Sequence, residues 1–89
     1  MNYPIYHIVY DLKYFARRNE EAVVAEETPE RAVSRLKVYL ARSFGNIYPR
    51  LENRFNRATP AKMGFVEKSV TQLDAYSNER HVFVPHNNP

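Results

Sequence analysis

An alternation of apolar and mixed residues near the N-terminus most constrains the fold of this chain. Apolar or aromatic side chains occupy the even positions Tyr6, Ile8, Tyr10, Leu12 and Tyr14, whereas the odd positions between them are mixed. Successive side chains of a β-strand point to opposite faces, so a period of two predicts a strand over residues 3–16 with one face in a core. Such a strand needs sheet partners and a covering element for its apolar face.

A helix start follows at Thr28-Pro29-Glu30. Threonine supplies an N-cap oxygen, proline suits the first helical position, and the glutamate complements the helix dipole. Gly45 fits the left-handed position that ends many helices. The sequence therefore predicts a helix over 29–44. Its apolar face consists of Ala32, Val33, Leu36, Leu40 and Phe44.

The remaining elements are predicted from shorter patterns. Strands are expected over 21–26, 64–76 and 81–84, with hairpin turns at 17–20 and 77–79. Apolar residues of the third strand fall on both parities, which predicts a bulge. A short helix is expected over 49–58, with an irregular loop as the alternative, and residues 85–89 are expected to form a flexible tail.

These elements predict a fold class. The 89 residues suit one domain, here 1–89. The order ββα(α)ββ predicts an α+β domain with a four-stranded, mainly antiparallel sheet packed on one main helix. The first strand is long enough to be an exposed edge, through which a homo-oligomer would form.

Positive charge is concentrated in the middle of the chain. Between residues 30 and 62 there are eight Lys and Arg residues but only two acidic residues. Clustered cations attract phosphates or acidic protein surfaces. The candidate binding residues are Arg31, Arg35, Lys37, Arg42, Arg50, Arg54, Arg57 and Lys62.

Helical spacing would order some of these cations. If residues 49–58 are helical, Arg50, Arg54 and Arg57 form one row, in which guanidinium forks can bond phosphate oxygens in pairs. Arg31 and Arg35 form a second row, with Lys37 and Arg42 elsewhere around the main helix. The alternative interpretation is a solvated polar face with no partner.

Three tyrosines of the first strand are candidate aromatic contacts. Tyr6, Tyr10 and Tyr14 lie at spacings of four, and exposed aromatic rings on a sheet stack unpaired bases. The alternative, which the apolar Ile8 and Leu12 on the same face favour, is that these rings belong to the core.

Catalysis, metal binding and membrane insertion receive no support from the sequence. The absence of Cys excludes disulfides, thiolate nucleophiles and Cys-type metal sites. His7 and His81 would approach only if the first and last strands were neighbours, and no third ligand has a fixed spacing. Neither a phosphate-binding glycine loop nor a catalytic motif is present. We expect no enzymatic activity, no cofactor, no metal, no membrane span and no signal peptide, and a cytoplasmic location.

Two functions remain as hypotheses. The first is a non-enzymatic binding module for nucleic acid, through the RNA or DNA backbone, or for a complex that contains nucleic acid. The second is a protein-binding adaptor or inhibitor, of the phage or mobile-element accessory type, that docks on an acidic or nucleic-acid-binding surface of a larger protein.

Overall fold

A computed structural model describes residues 2–47 and 63–85. The elements are β1 (Tyr3–Leu12), β2 (Arg17–Ala25), α1 (Pro29–Ile47), β3 (Phe65–Ser77) and β4 (His81–Phe83), with a 3₁₀ turn at Lys13–Phe15 between β1 and β2. One antiparallel four-stranded sheet packs on one helix, which confirms the predicted α+β class. The predicted helix over 49–58 and residues 86–89 of the predicted tail lie outside the described residues.

The apolar alternation of β1 builds the core, as predicted. Tyr6, Ile8, Tyr10 and Leu12 are all buried. They contact Ala22 and Val24 of β2, Met63, and the apolar stripe of α1, which consists of Ala32, Val33, Leu36 and Leu40. Burial of these side chains on one face of the sheet fixes which side of β1 meets the helix.

The strand order differs from the expected one. It is β3-β1-β2-β4, so β1 is an interior strand and the expectation that it forms an exposed edge is wrong. The predicted hairpin between the last two strands is also wrong, because β4 pairs with β2 at the opposite edge. The turn at 77–79 is instead closed locally, with the Glu79 amide donating to Ser77 Oγ at 3.2 Å. Val82 of β4 then packs against the core beside its partner Val24.

Several element boundaries also shift. β1 ends at Leu12, and β2 begins at Arg17, inside the predicted turn. The 3₁₀ turn and a left-handed Ala16 reverse the chain earlier than the polar residues suggested. At the helix start, Thr28 Oγ1 accepts the Arg31 amide at 3.1 Å, which confirms the cap. The helix continues through Gly45 to Ile47, so the prediction that Gly45 ends it is wrong.

The predicted bulge in the third strand is confirmed. Val9 pairs with Ser69 and Tyr10 pairs with Glu67, which leaves Lys68 as the extra residue of β3. A second irregularity lies between the Pro4–Tyr76 and Tyr6–Gln72 pairs. Between the two irregularities, Ser69–Gln72 pairs regularly with β1.

Gly64 holds the start of β3 against the turn after β1. Its φ is +69°, and an added Cβ would lie 2.8 Å from Lys13 Cβ and 3.1 Å from the Tyr14 backbone nitrogen. Its carbonyl accepts the Lys13 amide at 3.0 Å. We expect Gly64→Ala to lower the free energy of unfolding by about 1–2 kcal/mol, because both the backbone and the contact become strained.

The measurement for Gly64→Ala is urea unfolding, and Ala16→Gly is its matched control. Ala16 is exposed and has a φ of 53°. Removing its Cβ relieves left-handed strain, so this control is expected to be neutral or slightly stabilising. Equal destabilisation by both variants would contradict the role given to Gly64.

Candidate anion-binding cleft

A cleft between the outer face of α1 and the start of β4 gathers most of the described cations of the basic segment. Its volume is about 540 Å³. The residues that line it, here called the arginine cleft, are Glu26, Arg31, Ser34, Arg35, Val38, Tyr39, Arg42, Arg80 and Val82. Four guanidinium groups therefore surround a wall that also carries apolar side chains.

Glu26 lies at the base of the cleft and organises two of the arginines. Its side chain is 4% exposed. Arg35 Nε donates to Glu26 Oε2 at 2.6 Å, and Arg80 Nε lies 3.2 Å from Glu26 Oε1. The Glu27 amide also donates to Glu26 Oε1, at 3.0 Å. This carboxylate therefore fixes Arg35 and Arg80 side by side.

The same contacts keep Glu26 ionised. Burial acts to raise the pKa of its carboxyl, but the Glu27 amide and the guanidinium groups of Arg35 and Arg80 outweigh burial. The pKa of Glu26 therefore lies below its ordinary value.

Glu27 extends the network toward the solvent. It accepts from Arg80 Nη2 at 2.7 Å and from Arg31 Nη1 at 3.2 Å. Its hydrogen bond raises the pKa of Arg80 above the ordinary value. Arg80 also lies over the Tyr3 ring, 5.2 Å from its centre. Two carboxylates thus hold three of the four arginines, and the cleft keeps an excess of positive charge.

Arg42 completes the row on α1 and corrects the predicted arrangement. The sequence placed it elsewhere around the helix, but it lines the cleft with Arg31 and Arg35. Eleven residues span about three helical turns, so positions 31 and 42 lie on nearly the same side. No ion pair to Arg42 is found within the described ranges. That spacing was present in the sequence and would have found this residue.

The other predicted cations are not part of the described cleft. Lys37 points toward the sheet edge, with Nζ 5.4 Å from the centre of the Phe65 ring. Arg50, Arg54, Arg57 and Lys62 lie outside the described residues, so their predicted row stays a prediction. Arg80 is a cleft residue that sequence reasoning missed. It reaches Glu27, 53 positions earlier, only because β4 crosses to the β2 edge.

Most of the predicted aromatic contacts are wrong. Tyr6 and Tyr10 are 4% and 1% exposed on the helix side of the sheet, where the helix excludes any base from stacking on them. Tyr14 is exposed but lies in the 3₁₀ turn rather than on the strand face. Tyr39, which is 39% exposed, is the aromatic side chain that lines the cleft.

Other ligand chemistry finds little support in the described parts of the chain. His7 and His81 are separated by β2, and His7 contacts Glu21 at 2.9 Å. Within residues 2–47 and 63–85, no group of three His, Asp or Glu side chains is placed to hold a metal ion. In the same ranges, no helix has the length and hydropathy needed to cross a membrane.

Comparisons with known proteins do not add a functional assignment. A scan against protein-family models found no match, and neither did searches of curated proteins and of solved structures. The function is therefore argued from the chemistry of the cleft.

Proposed function

We propose that this protein is a non-enzymatic binding module that holds nucleic acid by its phosphates in the arginine cleft. The observation that carries the proposal is the convergence of Arg31, Arg35, Arg42 and Arg80 on one concave surface. Guanidinium groups bond phosphate oxygens through a planar fork and remain charged at any physiological pH. A nucleic-acid ligand also agrees with the cytoplasmic location expected from the sequence.

Preorganisation supports phosphate binding by this cleft. Glu26 and Glu27 position Arg31, Arg35 and Arg80 through hydrogen bonds of 2.6–3.2 Å. Arginines that are already held lose less side-chain entropy when a ligand arrives. Each of the three keeps about 40–60% of its side chain exposed, so donors remain available to an anion.

The apolar part of the wall favours a single strand over a duplex. Val38 and Tyr39 are 50% and 39% exposed beside the arginines, and Val82 lines the same surface. An unpaired base can place its flat face on such side chains while its phosphate meets a guanidinium group. A duplex hides its base faces and offers only phosphates to this wall.

Salt titration of oligonucleotide binding tests the proposal. Fluorescence anisotropy with single-stranded RNA, single-stranded DNA and duplex DNA of equal length is the measurement. We expect log–log salt slopes of about −0.7 per phosphate contacted for a single strand, with tighter binding of single strands than of the duplex.

The contrary outcomes separate the two hypotheses. Absence of binding by all three oligonucleotides at low salt would overturn the nucleic-acid proposal. Recovery from native lysate of one stoichiometric, nuclease-resistant protein would then favour the adaptor or inhibitor that docks on an acidic surface.

Charge removal in the cleft should weaken binding in a countable way. We expect Arg31→Ala with Arg42→Ala to lower affinity for a single strand about tenfold at low salt and to reduce the salt slope by about 1.4, or two contacts. Arg18→Ala with Lys13→Ala is the matched control. Both residues are exposed, lie outside the cleft and carry the same charge. Equal losses in the two double variants would indicate general attraction rather than a cleft.

A further inference from the structure

The outer edge of β3 is a long surface with unpaired backbone groups. The strand has 13 residues, and its inner edge pairs with β1. Among the described strands none lies on the other side of β3, whereas the opposite edge of the sheet is the three-residue β4. Three large apolar side chains of β3 are also exposed, namely Val66, Leu73 and Tyr76 at 45%, 38% and 62%. An edge of this length is a template for a further strand.

We propose that β3 pairs antiparallel with β3 of a second copy, around a twofold axis at Thr71. A symmetric dimer uses the same patch twice, so the residue on the axis faces itself and its neighbours pair at equal distances. Thr71 is the midpoint of Phe65–Ser77, and a register centred on it pairs the whole strand. The sheets of the two copies would join into one.

Charge complementarity selects this register. Centred on Thr71, Lys68 of each copy faces Asp74 of the other, which gives two opposite-charge pairs. A centre at Lys68 or Glu67 would place like charges against each other. A centre at Val70 would place Lys68 opposite Gln72 and lose both charge pairs. The same Thr71 register also puts the exposed Val66 opposite the exposed Tyr76.

The bulges of β3 agree with the proposed register. Pairing with β1 is regular over Ser69–Gln72 and irregular at Lys68 and between 72 and 76. These irregularities lie on both sides of Thr71 at similar distances. Bulges and lysines often keep a strand edge from pairing, but bulges also fix the register where pairing occurs. Here the bulged Lys68 meets an acid of the second copy, so its charge favours association.

Charge exchange at the two positions tests the dimer. We expect sedimentation equilibrium to give a dissociation constant of about 1–100 µM for the unmodified chain, because one strand pair is a small interface. Lys68→Glu and Asp74→Lys should each weaken the dimer about tenfold or more, since each converts two attractions into two repulsions. The double variant, Lys68→Glu with Asp74→Lys, should restore the dimer.

Controls keep the result interpretable. Lys68 Nζ also donates to Asn19 Oδ1 at 2.6 Å and lies 4.0 Å from Asp11, so circular dichroism must confirm that each variant is folded. Glu79→Lys makes the same charge change on an exposed side chain outside β3 and should leave the dimer unchanged. A monomer at concentrations well above the expected range would overturn the proposal. So would a double variant that associates no better than the single ones.

Discussion

Replacing Glu26 with alanine is expected to lower the free energy of unfolding by about 2–4 kcal/mol. Loss of one partner from a buried ion pair costs about 3–5 kcal/mol when the other charge is left without compensation. Arg35 and Arg80 are 41% and 40% exposed, so water compensates them in part and the lower part of that range applies. Urea unfolding with an unchanged denaturant slope is the measurement.

Acid sensitivity gives this prediction a second signature. The pKa of Glu26 is lowered in the fold, so the stability contributed by its charge is present at neutral pH. That contribution is lost as the pH falls from the ordinary glutamate value through the lowered one. Glu26→Gln keeps the shape but cannot titrate, and the stability gap between it and the unmodified chain should close in acid. A gap that stays constant down to the lowest accessible pH would contradict an ionised Glu26.

The local elements of this fold were predictable because their signals are local. The alternation at Tyr6, Ile8 and Tyr10 has a strand period, and Thr28 has a helix start directly after it. Both signals lie within a few residues of the structure that they determine. The boundary errors fall where two local signals compete. At Gly45 the helix continues although glycine suits a helix end, since tertiary contacts override propensity.

The path of the last strand was not predictable from its turn. Ser77, Asn78 and Glu79 are compatible with a hairpin and with a local turn followed by a crossing. The choice depends on packing of Val82 beside Val24, which joins residues 58 positions apart. Arg80 enters the cleft through that crossing, so its role depends on a long-range contact. Arg42 was different, because helical geometry alone places it above Arg31.

Tyr10 should be the most costly of the tyrosines to remove. Its side chain is 1% exposed, and its ring stacks on Phe65 with centres 5.3 Å apart. Burial, with a smaller effect from Glu20, raises the pKa of its hydroxyl to about 12. We expect Tyr10→Ala to lower the free energy of unfolding by about 3–5 kcal/mol, because it leaves a cavity between β1 and α1.

Tyr14 is the matched control for Tyr10, since the sequence placed both rings on one face. It is 67% exposed, so Tyr14→Ala should change stability by less than about 0.5 kcal/mol. Tyr10→Phe separates the ring from the hydroxyl and should retain most of the stability. Because the raised pKa belongs to the folded state, stability contributed by the neutral Tyr10 hydroxyl is present below pH 10 and is lost as the pH rises toward 12. Tyr10→Phe should therefore lose less stability than the unmodified chain above pH 10. Equal costs for Tyr10→Ala and Tyr14→Ala would instead mean that the β1 alternation does not form the core.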